Sequence, residues 1–325
     1  MAEPSPSPGI GVGTWSWGNQ LLWGYDPGQD DELKACFNRA LAAGLRFFDT
    51  ADSYGTGRFN GRSEELLGTF CAAVPEKLRG GITVATKLAP FPWRLGRDGF
   101  QRAFAASQRR LQGKLDRVQL HWSTARYAPW QEGPLLDGLA DLVARGVVRE
   151  LGVSNLGPRR LRQVHRHLTA RGVPLRSLQV QFSLLAPQSL APEGVAAVCR
   201  ELGIELIAYS PLGLGLLARS PGASGGQLPR GPRGLLFRRL WPGVQPLLEA
   251  MARIAEPHRA PIGSVALNWC RAHGALPIPG VRRLEQVDDA AVALAWRLDP
   301  AEREELDRLA LACPARMPAN PFQSA

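Results

Sequence analysis

Long apolar runs, closely spaced cysteines and acidic residues are all in short supply in this 325-residue chain. No stretch approaches the roughly 18 uninterrupted apolar residues of a membrane-spanning helix, so no membrane partner is expected. The first eight residues, MAEPSPSP, hold neither an apolar signal core nor an arginine-rich amphipathic run. The expected compartment is therefore the cytoplasm, or the plastid if a transit peptide has been removed. The five cysteines, Cys36, Cys71, Cys199, Cys270 and Cys313, are scattered and lack CxxC spacing. Single thiols in a chain of this size read as small buried hydrophobes of a reducing compartment, and neither a disulfide nor a metal site is expected.

Acidic residues number 29 against 39 basic ones, a formal net charge of +10. Such a balance favours anionic ligands. The arginines are nevertheless spread along the chain. Arg159, Arg160, Arg162, Arg166 and Arg171 share one helical pattern, and Arg230, Arg233, Arg238 and Arg239 one loop. Aromatics do not alternate with basic residues on strands, as a single-strand binder would show. Nucleic acid is not expected; a solvated arginine surface accounts for most of the charge and a phosphorylated cofactor for the rest.

What the chain does hold is an ordinary globular composition, 45% hydrophobic and 21% charged, enough for one large core. Short apolar runs alternate with segments of helical period, the pattern of βα units around a parallel sheet. The strands are expected at Ile10–Thr14, Arg46–Thr50, Ile82–Lys87, Val118–His121, Arg149–Val153, Leu178–Phe182, Ile204–Tyr209 and Ala275–Ile278. Helical patterns fall near 30–43, 63–73, 98–112, 133–145, 158–171, 189–202, 243–258 and 284–294, with Gly44 and Gly146 placed to cap two of them. Eight of each in strict alternation predict an α/β fold, a (β/α)8 TIM barrel, as a single domain over 1–325 with its core at about 10–312. A doubly wound sheet would want G-x-G-x-x-G after the first strand, and GIGVGTW does not supply it. Residues 213–242, including the low-complexity run SPGASGG, read as a long loop after the seventh strand, and 313–325 as a non-helical tail. The pattern specifies no oligomeric state.

Barrel active sites lie at the carboxyl ends of the strands. Four ionisable residues fall there: Asp49 and Tyr54 after the second strand, Lys87 at the end of the third, His121 at the end of the fourth. Singly, each reads as readily as a cap, a surface lysine or a core histidine. Together on three consecutive strands they suit proton donation to a carbonyl oxygen while hydride reaches carbon. A phenol of pKa about 10 is a weak acid at neutral pH, so Lys87 is expected to lower it and Asp49 to hold Lys87 charged. His121 is expected to hydrogen-bond the substrate oxygen or to pass the proton.

The motifs FFDTADSYG, ATK, LHW, GVSN, QVQFSLL, AYSPLGLGLL and IPG follow one another as in the aldo-keto reductase superfamily, which the chain resembles from Gly11 to about Ala295. The resemblance implies that Asp49, Tyr54, Lys87 and His121 form the catalytic tetrad. It implies that Ser154, Asn155 and Gln179 hold a nicotinamide carboxamide and that Tyr209 stacks on the ring. Ser210, Leu212, Gly213 and Gly215 then match the loop approaching the pyrophosphate. Arg282, Arg283 and Gln286 match the segment gripping the adenosine 2′-phosphate, with Asp289 an acidic position nearby, which favours NADP(H) as cofactor. Ala290 and Gly280 stand where many relatives carry Asn and Lys.

Longer signatures, GTWSWGNQLLWGY, ADSYGTGRFNGRSEELLG, LHWSTARYAP and GPRGLLFRR, resemble the plant-type pyridoxal reductase branch, whose members reduce the aldehyde of pyridoxal with NADPH. The resemblance makes Trp15, Trp17, Trp23, Trp93 and Trp122 candidates for an aromatic pocket; Trp15 and Trp122, which sit next to barrel-mouth motifs, are expected in the substrate pocket, the others reading as packing. A general aldehyde reductase, an NADPH-sensing regulatory subunit and a barrel aldolase using Lys87 as a Schiff base are the competing readings.

Overall fold

A computed structural model describes residues 9–222, 228–229 and 231–324. The octet MAEPSPSP, most of SPGASGG and Arg230 lie outside the described residues.

Eight short parallel strands, β1 (Val12–Gly13), β2 (Phe47–Asp49), β3 (Thr83–Leu88), β4 (Arg117–Leu120), β5 (Glu150–Ser154), β6 (Leu175–Gln181), β7 (Glu205–Tyr209) and β8 (Ala275–Ile278), pair in chain order. The ring closes where Gly11 and Gly13 donate to the carbonyls of Pro277 and Pro279 at 3.0 and 2.9 Å. Close approach explains the glycine at position 13, since a Cβ there would lie 3.0 Å from the Ile278 carbonyl oxygen.

The barrel interior is layered, as this fold requires. At the amino ends of the strands, Arg117 is 4% exposed in its side chain and pairs with Glu150 and Glu205. Above it Ile207, Leu276 and Ile278 pack with Phe47 and Tyr209. The carboxyl ends carry the polar side chains described below. Outside the ring, Leu, Val and Phe side chains of strands and helices form one continuous buried core.

The eight expected strands each overlap an observed one, and Gly44 and Gly146 take left-handed φ of 83° and 69°. Strict alternation is the part that does not hold. The stretch read as a loop up to 242 is helical from Gly231 to Ala255. Pro242 and Pro246 lie inside that helix and hide its period, because proline normally breaks one. A further helix, Ile262–Ala272, went unread because Gly263 to Arg271 are all buried, leaving no polar face to mark a period. Helix Pro300–Ala312 starts at a capping box of Asp299 and Glu302 with Pro300 in the first turn.

Candidate active site

Strands β2 to β7, with the residues just past them, deliver polar side chains to the barrel mouth. Asp49 ends β2 and Lys87 lies in β3, each 1% exposed. The Lys87 ammonium donates to Asp49 Oδ2 and, at 2.8 Å, to the Thr50 carbonyl. Asp49 Oδ1 accepts from Gln179 at 2.8 Å and from Gln119 at 3.2 Å. An ion pair taken out of water needs such extra bonds to offset its desolvation. Lys87 Nζ also stands 4.8 Å from the centre of the Tyr54 ring, and His121 meets that ring edge-on at 5.9 Å. The four predicted residues are therefore brought together.

Tyr54 is aimed by a turn that only glycine permits. Gly55 has φ +109°, and a Cβ on it would fall 1.8 Å from the Phe59 carbonyl oxygen. The turn is pinned from Gly61 N–H to the Tyr54 carbonyl at 2.8 Å and by the Asp52–Arg94 ion pair at 2.5 Å.

Electrostatics set the protonation of the cluster. Burial, aided by the Asp49 charge, pushes the Tyr54 phenol well above its ordinary value. Burial, with the Lys87 ammonium adding to it, drives the His121 imidazole well below its own. Burial also lowers Lys87, against the pull of Asp49. This departs from the expectation that Lys87 lowers the resting phenol: burial and the Asp49 charge govern it, and the ammonium's bonds go to Asp49 and Thr50. The Lys87 Nζ is held by Asp49 and the Thr50 carbonyl, which argues against a Schiff base.

These residues line a cleft of about 830 Å3. Ser154, Asn155, Gln179 and Tyr209 lie beside the cluster. Asn155, in a left-handed conformation with φ +61°, donates to the His121 carbonyl at 3.0 Å and accepts from the Tyr209 hydroxyl at 2.9 Å. Ser154 Oγ bonds the Gln179 carbonyl at 2.9 Å. Along the β7 turn, Ser210, Leu212 and Gly215 face the cleft. Gly213 does not; it is buried, and its N–H and that of Gly215 bond Ser210 and Leu212 carbonyls within the turn. Arg282, Arg283 and Gln286 line the cleft on the β8 side, with Gln286 Oε1 accepting from the Arg282 and Arg283 amides at 2.8 and 3.2 Å. Trp15 and Trp122 are in the wall, and so is Trp23, which was read as packing. Trp17 is fully buried, and Trp93 is 72% exposed and stacked on Phe91.

Several cleft residues had no sequence signal. The tail from Met317 to Phe322 crosses the mouth. Asn320 Nδ2 donates to the Tyr209 hydroxyl at 2.6 Å and to Asn155 Oδ1 at 2.9 Å. Phe322 stacks on Trp122 at 4.6 Å, and Ser324 N–H bonds the Asn155 carbonyl at 3.0 Å. Far from wandering over the surface, the tail is tied to the site. Arg219 and Arg233 of the cleft wall were likewise missed, as was Gln119, which bonds Asp49 from beneath.

A closed parallel α/β barrel with a Tyr–Lys–Asp–His cluster at its mouth defines an oxidoreductase of carbonyl groups. The chain belongs to the Aldo/keto reductase family, whose profile matches residues 9–311. It is similar to the pyridoxal reductase, chloroplastic, of Arabidopsis thaliana, 49% identical over 94% of this chain and 84% of that one. An uncharacterized oxidoreductase of Mycobacterium tuberculosis is 33% identical over 87% of this chain and 84% of its own. Among solved structures, an aldo/keto reductase from Klebsiella pneumoniae in complex with NADP and acetate superposes with a TM-score of 0.71. It is 26% identical, with 98% of this chain and 96% of that chain covered. Among the described residues no helix is long and apolar enough to cross a membrane.

Proposed function

We propose that the chain reduces pyridoxal, a planar aromatic aldehyde, to its alcohol pyridoxine with NADPH. The observation that carries this reading is the convergence of Asp49, Tyr54, Lys87 and His121 on one cleft, in a chain 49% identical to a pyridoxal reductase.

The cofactor, when bound, supplies the hydride. The residues that suit it are the amide and hydroxyl groups of Ser154, Asn155 and Gln179 for the carboxamide and the Tyr209 ring for the nicotinamide face. Ser210, Leu212 and Gly215, which face the cleft at the β7 turn, suit the pyrophosphate, and Arg282, Arg283 and Gln286 the adenosine 2′-phosphate. The Klebsiella relative, bound to NADP, supports this choice.

As the carbonyl carbon gains its hydrogen, the oxygen gains charge, and the Tyr54 hydroxyl gives it a proton. A phenol held well above its ordinary value keeps its proton at rest and yields it only to such a basic oxygen. The Lys87 ammonium, 4.8 Å from the ring centre, then stabilises the tyrosinate left behind. Neutral His121 offers a ring N–H to the same oxygen. Trp15 and Trp122 flank the pocket where the pyridine ring would stack.

The compartment we propose is the cytoplasm, consistent with five buried free thiols; a plastid is the counterpart suggested by the Arabidopsis relative's name. Fractionation of the native source with compartment markers decides between them. For the substrate, a panel of aldehydes assayed by NADPH consumption should give pyridoxal the highest kcat/KM. A short aliphatic aldehyde surpassing it would overturn the substrate and leave a general aldehyde reductase. Tight NADPH retention without turnover of any aldehyde would instead make the chain a sensor.

A further inference from the structure

Two oxygens buried inside the barrel have no hydrogen-bond partner among the described residues: Gln119 Oε1 and Ser177 Oγ. Both residues are 0% exposed. Strands β4, β5 and β6 bring them to one level, because Gly152 is the register partner of Gln119 on one side and of Ser177 on the other. All three face the barrel interior. Gln119 Nε2 reaches Asp49 Oδ1 at 3.2 Å, and Ser177 stands two residues before Gln179, whose amide bonds the same oxygen at 2.8 Å. Gly152 supplies the room between them. A Cβ on it would run into Ser177 Oγ and come within 3.0 Å of Gln119 Cγ and 3.3 Å of Gln119 Oε1. The two unpartnered oxygens therefore flank one small niche without bonding each other. Below the niche Arg117 holds Glu150 and Glu205, and above it stands the Asp49–Lys87 pair.

A carboxylate only accepts hydrogen bonds, so the Gln119 amide must turn its NH2 group to Asp49 and its oxygen to the other side. That oxygen and the Ser177 hydroxyl are out of bulk water, where a polar group without a partner is costly. An acceptor and a hydroxyl flanking one small niche are the pair of partners that retains a water molecule in a protein interior. We propose that one buried water, donating to Gln119 Oε1 and bonded to Ser177 Oγ, occupies the niche beside Gly152 and makes Gln119 a positioning residue for the Asp49–Lys87 pair. The water fixes which end of the amide meets Asp49. The amide then holds Asp49 Oδ1, and Asp49 holds the ammonium that stabilises the Tyr54 tyrosinate. The positioning role rests on the Tyr54 mechanism proposed above; the water itself does not.

The test joins crystallography to kinetics on the wild-type protein, Gln119→Leu, Ser177→Ala and the double variant, with melting temperatures as the folding control. The wild-type crystal structure should show an ordered water within hydrogen-bond distance of both oxygens, and Ser177→Ala should lose it. Aldehyde reduction should slow about tenfold in kcat for Gln119→Leu and about threefold for Ser177→Ala, with KM for the aldehyde and NADPH affinity within about twofold of wild type. In the double variant Ser177→Ala should cost nothing beyond Gln119→Leu, because it acts through that amide. Side chains that merely fill the interior would lower the melting temperature without this split or this coupling. If Gln119→Leu does not fold, the crystal water and Ser177→Ala decide. No water between the two oxygens, or kcat within about twofold of wild type in every variant that folds, overturns the proposal. A wild-type protein that shows the water yet reduces no aldehyde overturns the Tyr54 mechanism and the positioning role with it, and so separates the two failures.

Discussion

Burial raises the Tyr54 phenol and lowers the His121 imidazole, so both side chains are neutral over the physiological range. The sign of the His121 effect on stability follows. An unfolded imidazole titrates near 6.5, so below that pH the unfolded chain binds more protons than the folded one. His121 therefore contributes stability that is fully present above about 6.5 and is lost as the pH falls toward its folded value. Urea unfolding at about pH 7.5 and about pH 5.5 should show a smaller loss on acidification for His121→Asn than for wild type; equal losses would refute the assignment. Asp49→Ala leaves the Lys87 ammonium buried and unpaired, and should destabilise the fold by about 3–5 kcal/mol in the same experiment. Asp49, Lys87 and His121 were legible because they lie at or next to the carboxyl ends of strands, which point to one mouth. Their protonation was not, because desolvation depends on neighbours brought in by distant segments. Gln119 was invisible for the same reason: its amide matters only through the 3.2 Å bond to Asp49.

At the scale of elements, β1 to β8 were readable from short apolar runs between turn residues, because strands covered on both sides have little room for polar side chains. Most helices with one solvated face were readable too, although Pro300–Ala312 went unread despite its capping box. Two others broke the assumed pattern physically: Ile262–Ala272 by being buried all round, and Gly231–Ala255 by carrying two internal prolines. The tail failed because nothing in PARMPANPFQSA has a period; its order comes from long-range bonds to Leu185, Asn155 and Tyr209. Those bonds carry a prediction. Asn320→Ala removes two donors from the Tyr209 and Asn155 side chains, so NADPH affinity should drop by roughly 3- to 10-fold while the melting temperature stays near wild type. Titration with NADPH checks it, and an unchanged affinity would show that the tail does not position these residues.

Across the whole molecule, charge, cleft and barrel serve one another. The barrel gathers side chains from segments far apart in the chain at one end, and many of its arginines stay on the outside in surface ion pairs such as Arg97–Asp141 and Arg162–Glu201. An inward-facing exception is the pair Arg233 and Arg282 around Trp23, which neither composition nor spacing revealed, since Arg233 becomes part of the cleft only when its helix folds across the mouth. Fold and reaction class rest on many residues in register and were readable from the chain; the choice of aldehyde rests on the walls, where Trp23, Asn320 and Phe322 had no local signature. The central claim is that Tyr54 protonates a pyridoxal carbonyl at this mouth. Its most direct test is NADPH consumption by the purified protein with pyridoxal, alongside Tyr54→Phe, which removes one oxygen and leaves the ring. The prediction is pyridoxal-dependent NADPH oxidation matched by pyridoxine formed, falling about 10²–10⁴-fold in the variant. No pyridoxal-dependent oxidation, or a Tyr54→Phe rate equal to wild type, would contradict the account.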